Sequence, residues 1–151
     1  MKFGFEAFCQ KCVECGIDGV IIPDLPFKDY EETYKPIADR YDIRVIMLIT
    51  PETSEARVRE IDEHTDGFIY MVSSAATTGA QKDFDSQKQA YFKKIQDMHL
   101  RNPRMVGFGI SNKQTFDAAC ANSSGAIIGS RFVTLLNEAE GDAEKAITQL
   151  K

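Results

Sequence analysis

At 151 residues, 43% hydrophobic and 27% charged, the chain carries enough apolar material for a single domain with its own core. A formal net charge of -5, with Lys and Arg scattered among 23 acids, leaves no basic stripe and argues against nucleic acid as a partner. No window approaches the ~18 consecutive apolar residues of a membrane span, and residues 1–6 hold no apolar stretch of signal-peptide length, so no membrane partner and a cytoplasmic location are expected.

The chain opens on an amphipathic run over residues 5–15 that holds Phe5, Phe8 and Val13 and ends at Gly16, a helix with a glycine stop. Cys9, Cys12 and Cys15 fall in it at C-x2-C-x2-C spacing, which superficially matches part of an iron–sulfur ligand set. The fourth cysteine, Cys120, lies far away and no Cys-Pro completes the pattern, so the three are expected on one helix face as small buried apolar groups, with no metal site.

Short β-branched runs then alternate with longer amphipathic ones, the pattern of parallel βα units. Strands are predicted over 19–22, 45–49, 67–72, 105–108 and 126–128, each apolar enough to be covered on both faces. Helices are predicted over 30–41, 54–63, 86–101 and 113–121, with two more after Gly129. Thr53-Ser54 and Ser111 stand where helix caps belong. Five βα repeats with no linker between them fit either an open doubly wound sheet or part of an eight-stranded barrel, and periodicity does not choose.

Three turns of small residues follow three consecutive strands, at the ends where parallel α/β folds build their sites. They are Ser73-Ser74-Ala75-Ala76-Thr77-Thr78-Gly79-Ala80, Gly107-Phe108-Gly109-Ile110, and Gly129-Ser130 ahead of a helical run. A Gly-Ser pair at a helix start offers unpaired N–H groups and the positive end of the helix dipole, which favour phosphate. Asp24 sits at a strand end between two prolines and reads as a turn residue. His64 and His99 have no partner at metal-ligand spacing and read as surface groups.

These runs resemble the tryptophan synthase alpha chain family. Gly16-Ile17-Asp18-Gly19-Val20-Ile21-Ile22-Pro23-Asp24-Leu25-Pro26 looks like that family's fourth strand and exit loop. Gly67-Phe68-Ile69-Tyr70-Met71-Val72-Ser73 with Thr78-Gly79, Val106-Gly107-Phe108-Gly109-Ile110-Ser111, and Ala126-Ile127-Ile128-Gly129-Ser130 follow in family order. The resemblance implies a (β/α)8 TIM barrel, here an incomplete one of about five parallel βα units forming one domain over residues 1–151. It places Met1-Lys2-Phe3-Gly4 in the interior stretch after the third strand.

The reaction implied is retro-aldol cleavage of indole-3-glycerol phosphate to indole and glyceraldehyde 3-phosphate, with two carboxylic side chains as acid and base. The family carries those acids on its second strand and the loop after it, ahead of the matched region, so no catalytic acid is expected in this chain. By motif position Gly79, Gly109, Gly129 and Ser130 match phosphate contacts, and Phe108 and Ile21 match the indole pocket. Tyr70 and Thr78 match supporting residues beside the acids. Ser74, Ala76 and Thr77 replace the loop's usual Arg, Gly and Val.

The resemblance further implies docking on a beta subunit, which would hold the only cofactor, pyridoxal phosphate. The competing reading is a non-catalytic phosphate-binding half-barrel that self-associates through open sheet edges. A different phosphate-binding barrel lyase or isomerase fits residues 107–111 poorly.

Overall fold

The computed structural model describes residues 3–72, 81–107, 109–110 and 112–150. Helix α1 (Phe5–Glu14) is stopped by Gly16, whose φ of +69° only a residue without a Cβ adopts freely. Cys9 and Cys12 are buried beneath it, whereas Cys15 is exposed at its C-cap. The expectation of three buried cysteines therefore fails at Cys15, because the helix has ended there and its face no longer turns inward.

Strand β1 (Gly19–Ile21) leads to a continuous helical stretch built from α2 (Phe27–Asp29), a π-helical turn (Tyr30–Tyr34) and α3 (Lys35–Arg40). It starts three residues earlier than the apolar spacing predicts, since Pro26 supplies an extended N-cap. The single strand predicted over 45–49 is two, β2 (Arg44–Ile46) and β3 (Leu48–Ile49), interrupted at Met47. Then follow α4 (Glu55–His64), β4 (Ile69–Val72), α5 (Gln81–Asp97), β5 (Arg104–Gly107), α6 (Lys113–Cys120), β6 (Gly125–Ala126), α7 (Ser130–Glu138) and α8 (Ala143–Leu150). Helix α5 begins five residues before the predicted position 86.

Ser54 caps α4 as expected, accepting from the Arg57 N–H at 3.3 Å. The cap of α6 is Asn112 and not Ser111, which lies outside the described residues. Asn112 accepts from Thr115 N–H at 2.9 Å while the Thr115 hydroxyl accepts from Asn112 N–H at 3.1 Å, a reciprocal capping box.

All paired strands are parallel and neighbours in space are neighbours in sequence: β1 on β2, then β3-β4-β5-β6. The Met47 carbonyl accepts from Tyr70 N–H at 3.0 Å, so pairing passes at that residue from β1 on one side to β4 on the other. An open doubly wound sheet reverses its strand order at a switch point. This arrangement never reverses, which is the order of a barrel wall.

The register separates two faces. Val45, Met47, Ile49, Ile69, Met71 and Val106 point to the side covered by helices and pack with Val58, Ile61, Phe92 and Ile95 in the main core. Each such side chain, fully buried, contributes roughly 1.5–3 kcal/mol. Ile21, Ile46, Leu48, Tyr70, Met105 and Gly107 alternate with them and form the other face, of which Ile21 remains 44% exposed.

At the ends of β4 and β5 where the strands begin, a polar clamp ties α4 to the chain entering β5. The buried Asp62 carboxylate accepts from Arg101 N–H at 2.7 Å and Asn102 N–H at 2.8 Å. The Arg101 guanidinium and Asn102 amide return hydrogen bonds to the carbonyls of Asp62 and Thr65, at 2.7–3.0 Å. The orphan carbonyls of a helix end are thereby satisfied by side chains.

Candidate functional site

The opposite ends of the strands are built differently. Tyr70 pairs in register with Met105, which places Gly107 two residues further along the same face of β5. A Cβ on Gly107 would lie 1.9 Å from Tyr70 Oη and 2.2 Å from its Cζ, so the ring lies directly across the glycine. The absence of a side chain there is what lets an aromatic ring lie flat over β5. Tyr70 is 9% exposed, and burial pushes its phenol above the ordinary value, so the hydroxyl is held neutral.

Beyond β5 the chain turns through Gly109 at φ +75°, a left-handed conformation suited to glycine. Beyond β6, Gly129 is the N-cap of α7, and no side chain caps that helix. Nothing lies within 4 Å of where a Gly129 Cβ would be. A cavity of about 680 Å³ is lined by Ile110, which follows Gly109, and by Ile128 and Arg131, which flank Gly129 and Ser130 in the chain. Helix dipole, uncapped N–H groups and a concave space together suit an anion.

The cavity is thus lined by chain neighbours of Gly109, Gly129 and Ser130 and not by those residues themselves, while Tyr70 lies on β4, the strand next to β5. The structure does not bring Ile21 there: that residue is on β1, at the other edge of the strand order, facing the same side but half-exposed. Thr78, Gly79 and Phe108, with the loop over residues 73–80, lie outside the described residues. Asp24 is exposed in its turn, His99 is exposed, and His64 is an exposed side chain in contact with Glu31. Among the described residues no group of three or more His, Cys, Asp or Glu could hold a metal ion, and no helix is long and apolar enough to cross a membrane.

Sequence reasoning missed two parts of this site. Gly107 reads as one more glycine of a turn, and its role as the seat of Tyr70 depends on a register that only the paired strands define. Lys113, Phe116 and Arg131 read as helix residues, although two cations in first helical turns were a signal in plain view.

A family model, the tryptophan synthase alpha chain, matches residues 1–151. The tryptophan synthase alpha chain of Bacteroides fragilis is 79% identical over 151 residues, which are all of this chain and 57% of that protein. The chain thus spans little more than half the length of that curated relative. Among solved structures, the tryptophan synthase alpha chain of Legionella pneumophila matches 99% of this chain and 55% of its own, with a TM-score of 0.78 and 27% identity. The tryptophan synthase complex of Pyrococcus furiosus, 22% identical, shares the fold at a TM-score of 0.77 over 99% of this chain and 59% of its own. The parallel strand order, the strand-end site and these likenesses agree on a partial (β/α)8 barrel, and the chain belongs to the tryptophan synthase alpha chain family.

Proposed function

We propose that these residues form the phosphate- and indole-holding part of a lyase that cleaves indole-3-glycerol phosphate to indole and glyceraldehyde 3-phosphate in tryptophan biosynthesis. The observation that carries this reading is a cavity lined by the chain neighbours of Gly109, Gly129 and Ser130, beside a helix whose start no side chain caps. Backbone N–H groups there would hold the phosphate, joined by Gly79. Phe108 and Ile21 would line the indole side, and Tyr70 and Thr78 would support the reacting groups. The two carboxylic groups that move protons would lie outside these residues, since retro-aldol cleavage needs one group to protonate the indole carbon and another to take the hydroxyl proton. No cofactor is assigned to this chain. Its partner would be a beta subunit carrying pyridoxal phosphate, with the protein in the cytoplasm.

The test is indole release from indole-3-glycerol phosphate by this chain, with and without a beta subunit, alongside titration with glyceraldehyde 3-phosphate. Binding without turnover is the expected result. Turnover by these residues would show that carboxylates within them, Asp24 first, perform the chemistry, and absence of binding would remove the phosphate assignment.

One observation favours a second reading, a non-catalytic phosphate-binding half-barrel that self-associates. Ile21, Phe116, Val133 and Ile147 are exposed large apolar side chains, and β1 and β6 each pair on one side only among the described residues. Unpaired edges and apolar surface drive association. Sedimentation as a stable dimer with unaltered phosphate binding would support that reading.

A further inference from the structure

The exposed large apolar side chains are not spread over the surface. Among the described residues they fall in two groups: Phe3, Val13, Ile17 and Ile21 in and ahead of β1, and Phe116, Val133 and Ile147 on the helices before and after β6. The described residues between Ile22 and Thr115 hold none. Apolar surface is thus confined to the flanks of the two strands that pair on one side only among the described residues. Such patches mark association surfaces, and an unpaired strand edge is a template for another strand.

The two flanks differ in charge. From Cys12 through Phe27 every charged residue is acidic: Glu14, then Asp18 just before β1 and Asp24 in its exit turn, all exposed. From Ala118 through Asn137 the single charged residue is Arg131, exposed in the first turn of α7 beyond β6. Arg131 comes no closer than 4.0 Å to Glu138, with both side chains about half-exposed, a contact that contributes little. One edge is therefore apolar and acidic and the other apolar and basic.

That asymmetry selects a second copy of the chain as the occupant, because every copy carries one edge of each kind. All paired strands run parallel in chain order, so a β1 edge laid beside a β6 edge in the same direction continues the order already present. The exit end of β1, with Asp24, then meets the exit end of β6, with Arg131. An antiparallel approach would carry Asp24 to the far end, away from that cation. A two-fold axis running along the strands makes the same junction twice and leaves no edge open. The helices agree, since Leu135, Ala139 and Ala146 give the α7–α8 pair a buried cluster apart from the main core, which leaves Val133 and Ile147 facing outward.

We propose that two copies of this chain form a dimer in which the β6 edge of each lies parallel beside the β1 edge of the other, with Arg131 opposite Asp24 of the second copy. This rests on the self-associating reading given above and names its interface.

The test is sedimentation velocity across a concentration series, with thermal unfolding of each variant in parallel. A concentration-dependent dimer is expected. Asp24→Arg and Arg131→Glu should each weaken it about tenfold, since either change breaks two junctions at once. Placed together in one chain they re-create the pair with its signs exchanged and should restore the dimer, which also shows that neither single variant failed by unfolding. Ile147→Asp should weaken the dimer through its apolar contact. In Arg131→Lys, which keeps the charge, a carbodiimide should join the introduced amine to Asp24 of the second copy.

Coupling to Glu14 or Asp18 instead, or a dimer indifferent to both charge reversals, would overturn this pairing while leaving self-association standing. A monomer at every concentration would overturn both. Assemblies that grow past two copies would overturn the two-fold closure.

Discussion

The two ends of the strand arc have opposite chemistry. Where β4 and β5 begin, the Asp62 carboxylate and the Asp62 and Thr65 carbonyls are all engaged by Arg101 and Asn102. Where β5 and β6 end, α7 starts without a side-chain cap, Gly129 faces open space, and a cavity remains. One end clamps the Asp62 and Thr65 groups with side chains, and the other leaves the start of α7 without a side-chain cap. Barrel folds divide labour in this way, with stability at the strand starts and chemistry at the strand ends.

Substitutions at the two ends should separate stability from binding. The largest effect belongs to Asp62→Ala, which leaves the Arg101 and Asn102 backbone N–H groups without their carboxylate acceptor, while the Asn102 amide keeps the Asp62 and Thr65 carbonyls. It should cost about 3–5 kcal/mol in urea unfolding, with phosphate affinity of the folded fraction unchanged. Gly107→Ala comes next. Its methyl would meet the Tyr70 ring, at an expected cost of about 1–3 kcal/mol. In a Tyr70→Leu background the same change should be nearly neutral, so a double-mutant cycle reads the coupling directly.

Gly129→Asp should divide the two properties by sign. The carboxylate would repel phosphate at the cavity, yet an N-cap Asp in open space should raise stability by up to about 1 kcal/mol. Weakened binding together with a higher Tm is the expected pair, and retained binding would end the assignment. Asn112→Ala removes the capping box of α6 and should cost about 1 kcal/mol in the same unfolding assay.

A further effect is alkaline. Burial, with Asp39 and then Asp66 adding, pushes the Tyr30 phenol up to about 12. The folded state therefore holds this proton more tightly than the unfolded chain does. Tyr30's contribution is complete below its ordinary pKa of about 10 and is lost as pH climbs through 12. Tyr91 is displaced in the same direction by burial. Phenolate absorbance should therefore rise in two steps, the later one coinciding with loss of helix; a single early step would contradict this.

Much of the alternation of strands and helices was legible, because parallel strands covered on both faces read as apolar runs and helices keep their period. The Ser54 cap, the Gly16 stop and the Gly129-Ser130 helix start were legible for local reasons, since each depends on residues within one turn. The break at Met47 was not. A run apolar on both faces carries no mark of where its pairing passes from one neighbour to the next. The Asp62 clamp joins residues 39 and 40 positions apart and has no local signature. At the site, the glycine turns were readable as backbone features, whereas the seating of Tyr70 on Gly107 required the register. The roles of Thr78, Gly79 and Phe108 rest on motif position.

The sheet's chain-order pairing bears on how the protein acquires its structure. Each strand finds its partner one βα unit away, so loop-closure entropy stays modest at every step and no strand waits for a distant segment. Assembly can then advance unit by unit, each new strand docking on an edge its predecessor has just completed. Amide exchange should record that history as protection highest in β4 and β5, which have partners on both sides, and declining toward β1 and β6.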